Sequence, residues 1–133
     1  MNLNKIGKLG EDIVVRFLKR KGFKVINRNY LIKQGELDIV AIKTGIYHFI
    51  EVKAVSREIA DNRPIKGNLL EPEENMHRNK VIRLINTIEV FSRLNGVSHE
   101  KTCFDMCAVY IDINNKKACI RFWEDLPLSV ERF

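Results

Sequence analysis

No apolar run in this chain approaches the roughly 20 residues that a membrane-spanning helix needs, so no membrane association is expected. Cysteine is scarce: Cys103, Cys107 and Cys119 are an odd number without paired spacing, which excludes a disulfide framework and suits reduced, partly buried thiols in an intracellular protein. His99-x-x-x-Cys103-x-x-x-Cys107 runs into a strand and matches no zinc knuckle, so zinc is set aside on spacing. No secretory leader is expected either, because Met1-Asn2-Leu3-Asn4-Lys5 leads straight into an amphipathic helix, and a cytoplasmic protein is expected. Nothing like a linker, a repeat or a low-complexity segment divides the 133 residues, which are enough for one hydrophobic core, so 1–133 reads as a single domain. What the chain has in excess is base. Its net charge is +6, with Lys and Arg gathered from Lys5 to Lys24 and from Arg57 to Arg83, a bias that favours a polyanionic partner without choosing DNA over RNA.

Periodicity predicts a helix over 4–21, ending at Lys21-Gly22 with bases in its last turn, then strands near 24–31, 36–43 and 47–55, the last two joined by a Thr44-Gly45 hairpin turn. The polar stretch with Asp61-Asn62-Arg63-Pro64 and Lys66-Gly67-Asn68 has the composition of a mobile loop. A second helix is expected over 73–94, between Pro72 and Asn95-Gly96, with Val81, Leu84, Ile85, Ile88 and Phe91 inward. Strands near 104–112 and 117–123 complete an αβββαββ order.

Four charged residues interrupt this apolar pattern. Asp38 falls in one apolar strand, and Glu51 and Lys53 fall in the next, where a period of two puts them on one face and Val52 on the other. The hairpin carries Asp38 close to that pair. On the first helix, about 100° per residue gathers Ile6, Leu9, Ile13, Val14, Phe17 and Leu18 on one arc, and Glu11 lies inside it, beside the small Gly7 and Gly10. Charges among apolar strands are costly unless they work. Carboxylates suit a hard divalent ion such as Mg²⁺, and an ammonium can orient an attacking water or offset charge building on a phosphorus. The alternatives are a solvated strand face for Glu51 and Lys53, and a helix-start acid on free amides for Glu11.

Gly7-x-x-Gly10-Glu11, Asn27-Arg28-Asn29, Gly35-Glu36-Leu37-Asp38-Ile39-Val40 and Glu51-Val52-Lys53 resemble the YraN-like family of small bacterial proteins, and the resemblance runs from Gly7 to about Val109. That family is similar to the archaeal Holliday junction resolvases and to the PD-(D/E)xK nucleases. The resemblance implies a restriction-endonuclease-like α/β fold, an αβββαβ core with a mixed central sheet flanked by helices. It also implies a Mg²⁺- or Mn²⁺-dependent endonuclease acting on nucleic acid, with DNA, branched or junction-bearing, as the expected substrate. Carried over by position, Glu11 is the helix acid, Asp38 the metal-binding aspartate, Glu51 the second acid and Lys53 the lysine. The Val52 backbone carbonyl would join Asp38 and Glu51 on the metal, and Glu11 would complete that shell or a second one. Two departures stand out: Leu37 where the superfamily's name has Pro, and Cys103 before Phe104-Asp105 where a basic residue is expected. The alternative is a non-catalytic DNA-binding or assembly module that keeps the nuclease fold.

Further candidates are peripheral. Lys80, in the first turns of the second helix, could hold a phosphate, with Arg57, Arg78 and Arg83 as additional contacts. His77 reads better as a half-exposed ring at a helix start. Glu36 shares parity with Asp38 and is either a peripheral acid or an exposed residue after the Gly35 turn. Asp105 is expected to be structural, pairing with Arg83 or capping backbone. Resolvase likeness implies a homodimer, for which Phe122, Trp123, Leu126, Leu128 and Phe133 offer an apolar patch that could equally finish the core.

Overall fold

A computed structural model describes residues 2–65, 67, 69–72 and 76–129. The first helix, α1, spans Leu3–Arg20 and starts where Asn2 caps it, its Oδ1 accepting the Lys5 N–H at 2.9 Å. It stops at Lys21, after which Gly22 takes a φ of +90° that a side chain would resist. Strands β1 (Lys24–Ile32), β2 (Gly35–Lys43) and β3 (Ile46–Ser56) follow as an antiparallel meander. The β2–β3 turn places Thr44 and Gly45 at φ +48° and +79°, the two positive angles of a tight hairpin.

Where a mobile loop is expected, two short strands, β4 (Ile59–Ala60) and β5 (Arg63–Pro64), pair antiparallel. Asp61 and Asn62, read from composition as loop residues, are the two left-handed corners of that hairpin, with φ of +52° and +61°. Lys66 and Asn68 lie outside the described residues. Helix α2 spans Arg78–Leu94, and so begins five residues later than the periodicity predicts; residues 73–75 are outside the description, and His77 is the N-cap. Strand β6 (Thr102–Asp112) then returns parallel to β3, and β7 (Lys117–Trp123) pairs antiparallel with β6. The sheet order is β1-β2-β3-β6-β7, a mixed sheet between two helices. Among the described residues no helix is long and apolar enough to cross a membrane.

Alternation along β3 and β6 feeds two cores. Ile50, Cys107, Val109 and Ile111 pack with Val14, Val15 and Leu18 of α1, while Phe49, Phe104 and Met106 pack with Leu84 and Phe91 of α2. The apolar C-terminal residues are divided between them, Phe122 against the α1 side and Trp123, Leu126 and Leu128 against the α2 side; Phe133 is outside the described residues.

One glycine sets the distance between α1 and the sheet. A Cβ on Gly10 would stand 2.5 Å from the Ala54 Cβ and 2.9 Å from a Val109 methyl, so the helix rests on the strands at a spacing only glycine allows. Gly7, by contrast, meets nothing within 4 Å. Gly10→Ala should therefore destabilise the protein by about 1–3 kcal/mol despite alanine's better helix propensity. Urea denaturation would measure it, and a stabilised variant would contradict this packing.

Candidate active site

The β2–β3 ladder runs from Lys43↔Ile46 to Ile39↔Ile50 and stops there. Continued, it would set Asp38 opposite Glu51; instead the strands part, and the Asp38 carboxylate accepts the Val52 N–H at 2.8 Å. The fork holds Asp38 rigidly and leaves Glu51 beside it, half-buried, on the α2 face. Lys80 of α2 places its ammonium on Glu51 Oε1 in an ion pair. The other oxygen, Glu51 Oε2, is buried with no hydrogen-bond partner. A buried carboxylate oxygen without a donor is costly, and a cation is the kind of partner that would satisfy it.

A cleft of about 430 Å³ opens on this pair, lined by Glu36, Asp38, Glu51, Lys80 and Arg83 together with Leu31, Gly35 and Leu84. The Asp38 carboxyl is pushed up from 3.8 to about 6, first by burial, then by the charges of Glu51, Glu11 and Glu36, against the lowering effect of the Val52 N–H. The four acids are therefore felt at one point. Glu11 projects from α1, does not line this cleft and is held on the β1 side: its Oε1 accepts from Arg28 Nε at 3.1 Å and from Asn29 Nδ2 at 3.0 Å, while Arg28 also pairs with Asp12 at 2.6 Å. Asn29 and Arg28 thus anchor Glu11, a role that their place in β1 did not suggest. Lys53 lies two residues beyond Glu51 on the same face and is exposed, and none of the ion pairs among the described residues includes it.

The basic candidates separate. Lys80 and Arg83 line the cleft, Arg78 is exposed at the start of α2, and Arg57 lines a different cavity of about 720 Å³ with Ser56, Glu58 and Asp112. His77 is exposed and makes no capping bond. Asp105 is fully buried as a structural residue should be, but its partner is His48 rather than Arg83: His48 Nδ1 lies 2.6 Å from Asp105 Oδ2, and Asp105 Oδ1 accepts the Asp125 N–H at 2.9 Å. Cys103 joins them, and His48, Cys103 and Asp105 are the one group of three among the described residues whose donor atoms all lie within 4.8 Å of one another; such a group could hold a metal ion. Spacing along the chain could not find it, because His48 and Cys103 meet only through the parallel β3–β6 register. Burial, reinforced by Asp105, pushes the Cys103 thiol up to about 12, and burial does the same to Cys107, which favours the neutral thiol at both.

A mixed α/β sheet flanked by two helices, with a carboxylate cleft where two antiparallel strands fork, is compatible with a nuclease-like core. The chain belongs to the uncharacterised protein family UPF0102, the YraN-like group, whose profile matches residues 10–109. It is similar to UPF0102 proteins of several bacteria. With that of Campylobacter jejuni it shares 38% identity over 94 residues, 71% of this chain and 74% of the relative. With that of Dictyoglomus turgidum the identity is 33% over 127 residues, 96% and 98% of the two chains. With that of Clostridium perfringens it is 31% over 120 residues, 90% and 91%.

Proposed function

We propose that this protein is a metal-dependent endonuclease that hydrolyses phosphodiester bonds of DNA, with branched or junction DNA as the favoured substrate. The observation that carries the proposal is the fork itself: Asp38, fixed by the Val52 N–H and raised to about 6, beside Glu51 with a buried, unpartnered oxygen. Mutual repulsion and an orphan oxygen both fit a hard divalent cation, and all the donors are oxygens. Asp38, Glu51 and the Val52 carbonyl would hold Mg²⁺ or Mn²⁺, with Glu11 beside them. When bound, such an ion supplies Lewis-acid charge for in-line attack by water on phosphorus.

The chain's own groups account for the rest. Exposed Lys53, on Glu51's face, can orient the attacking water and offset charge on the phosphoryl oxygens. Lys80 pairs with Glu51 and lines the cleft with Arg83, which supports a role for both in taking a phosphate once a metal satisfies the carboxylate. A two-fold pair of such clefts in a homodimer would supply symmetric cuts across a junction.

A panel of labelled single-stranded, duplex, flap and four-way-junction DNAs, incubated with Mn²⁺, Mg²⁺ or EDTA, tests the proposal. Cutting should require the divalent ion. Binding should fall steeply as salt rises, because Lys and Arg contacts release counterions. Metal-independent binding without cutting of any substrate would leave the non-catalytic module instead.

A further inference from the structure

On the face of the sheet opposite Glu51, three donors of different chemistry meet. His48 lies directly across from Cys103 in the parallel β3–β6 register, and Asp105 follows two residues along β6. His48 Nδ1 stands 2.6 Å from Asp105 Oδ2 and 2.9 Å from Cys103 Sγ, and the Cys103 thiol donates to Asp105 Oδ1 at 3.5 Å. Which partner donates across the His48–Asp105 contact depends on the tautomer of the ring. One N–H cannot align on both an oxygen and a sulfur, so the 2.9 Å approach of Cys103 Sγ to the ring nitrogen is not itself a well-aligned hydrogen bond, and the thiol's own bond is the long one to Asp105 Oδ1. A shared cation gives all three atoms one attractive centre.

We propose that His48, Cys103 and Asp105 form a structural zinc site that ties the starts of β3 and β6 to the segment following β7. The donor set is imidazole nitrogen, thiolate sulfur and carboxylate oxygen, which selects a borderline-soft ion such as Zn²⁺ over Mg²⁺ or Mn²⁺. The surroundings are those of a built site. Phe23 stands edge-on to the imidazole with ring centroids 4.8 Å apart, and the Asp125 N–H on Asp105 Oδ1 orients the carboxylate from outside. Cys103 also lines a cavity of about 290 Å³ with His99 and Asp125, so its side of the cluster borders open space, and a water would complete four-coordination. Zinc bonds of about 2.0–2.3 Å would move the three donor atoms apart to about 3.3–3.6 Å from one another; His48 would bind as the neutral imidazole with its remaining proton on the other ring nitrogen, and the thiol proton would leave to solvent. The site is independent of the proposed nuclease cleft: it shares none of its residues and uses the other face of β3.

Cobalt(II) makes the site visible. Titrating the full chain with Co²⁺ should produce a thiolate-to-cobalt charge-transfer absorption that saturates at one ion per chain, is discharged by Zn²⁺, persists in Cys119→Ser and disappears in Cys103→Ser. Zn²⁺ in tenfold excess should raise Tm by several degrees in the wild-type protein and by less than half as much in Cys103→Ser or His48→Gln. If Cys103→Ser does not fold, the wild-type and Cys119→Ser titrations decide alone. Absence of the absorption in wild type, its loss in Cys119→Ser, or an equal zinc-induced rise in Tm in wild type and the Cys103 or His48 variants would overturn the proposal.

Discussion

Glu51→Gln protein should retain its fold and its DNA affinity and lose a hundredfold or more of its divalent-ion-dependent cleavage. Glutamine keeps the shape of Glu51 and removes the charge that a cation needs, and losses of this size, of order 3 kcal/mol in the barrier, follow removal of one charge-stabilising group. Lys53→Ala should fall comparably for a different reason, because the exposed ammonium acts on the water and the phosphate rather than on the metal. DNA affinity distinguishes these from a general loss of binding, since the salt-dependent contacts come from other Lys and Arg residues. Single-turnover cleavage under identical Mn²⁺ concentrations is the measurement. A Glu51→Gln protein that cuts at the wild-type rate, after contaminating nucleases are excluded, would contradict the assignment.

The second large effect concerns stability without metal. The Asp38 carboxyl is raised from 3.8 to about 6 in the folded chain, so the fold binds this proton more tightly than the unfolded chain does. Its contribution to stability is therefore complete below about pH 4, declines as pH rises toward 6, and is lost above that. In EDTA at pH 7.5, Asp38→Asn should then be more stable than wild type by about 1–3 kcal/mol, since an asparagine oxygen can still accept the Val52 N–H at no cost in charge. The advantage should shrink below pH 6 and vanish near pH 4. Mn²⁺ should stabilise wild type by mass action and the variant less. Melting curves for both proteins across that range, with EDTA and with excess Mn²⁺, make the comparison. A clearly destabilised variant in EDTA at pH 7.5, with no metal response in wild type, would make Asp38 a structural residue.

The main strands and both helices were legible because their hydrophobic periods are clean, and the four interrupting charges were legible because they violate those periods. Asp38 in β2 and Glu51 in β3 line one cleft, as the hairpin geometry implied, whereas Glu11 of α1 is held by Arg28 and Asn29 and is not among the residues lining that cleft. What was not legible came from register and from contacts between distant segments. Turn-type residues at Asp61 and Asn62 signal a loop and a tight hairpin alike, and only pairing of Ile59 with Pro64 decides between them. The start of α2 depends on where its axis meets the sheet, which no capping residue marks, since His77 caps nothing with its side chain. Lys80 was placed on phosphate by its helix position, and its ion pair with Glu51 required the crossing of α2 over β3. Cys103 invited a zinc search along the chain toward His99 and Cys107, whereas the histidine it meets is 55 residues away on a parallel neighbour.

Calorimetric titration of Mn²⁺ into the wild-type, Glu51→Gln and Cys103→Ser proteins at pH 7.5 bears most directly on the oxygen-lined cleft. The wild-type and Cys103→Ser chains should bind the ion saturably and alike, with Glu51→Gln showing at least a tenfold weaker association. Equal binding by wild type and Glu51→Gln, or no binding by wild type in the presence or absence of DNA, would contradict a metal centre at Asp38 and Glu51.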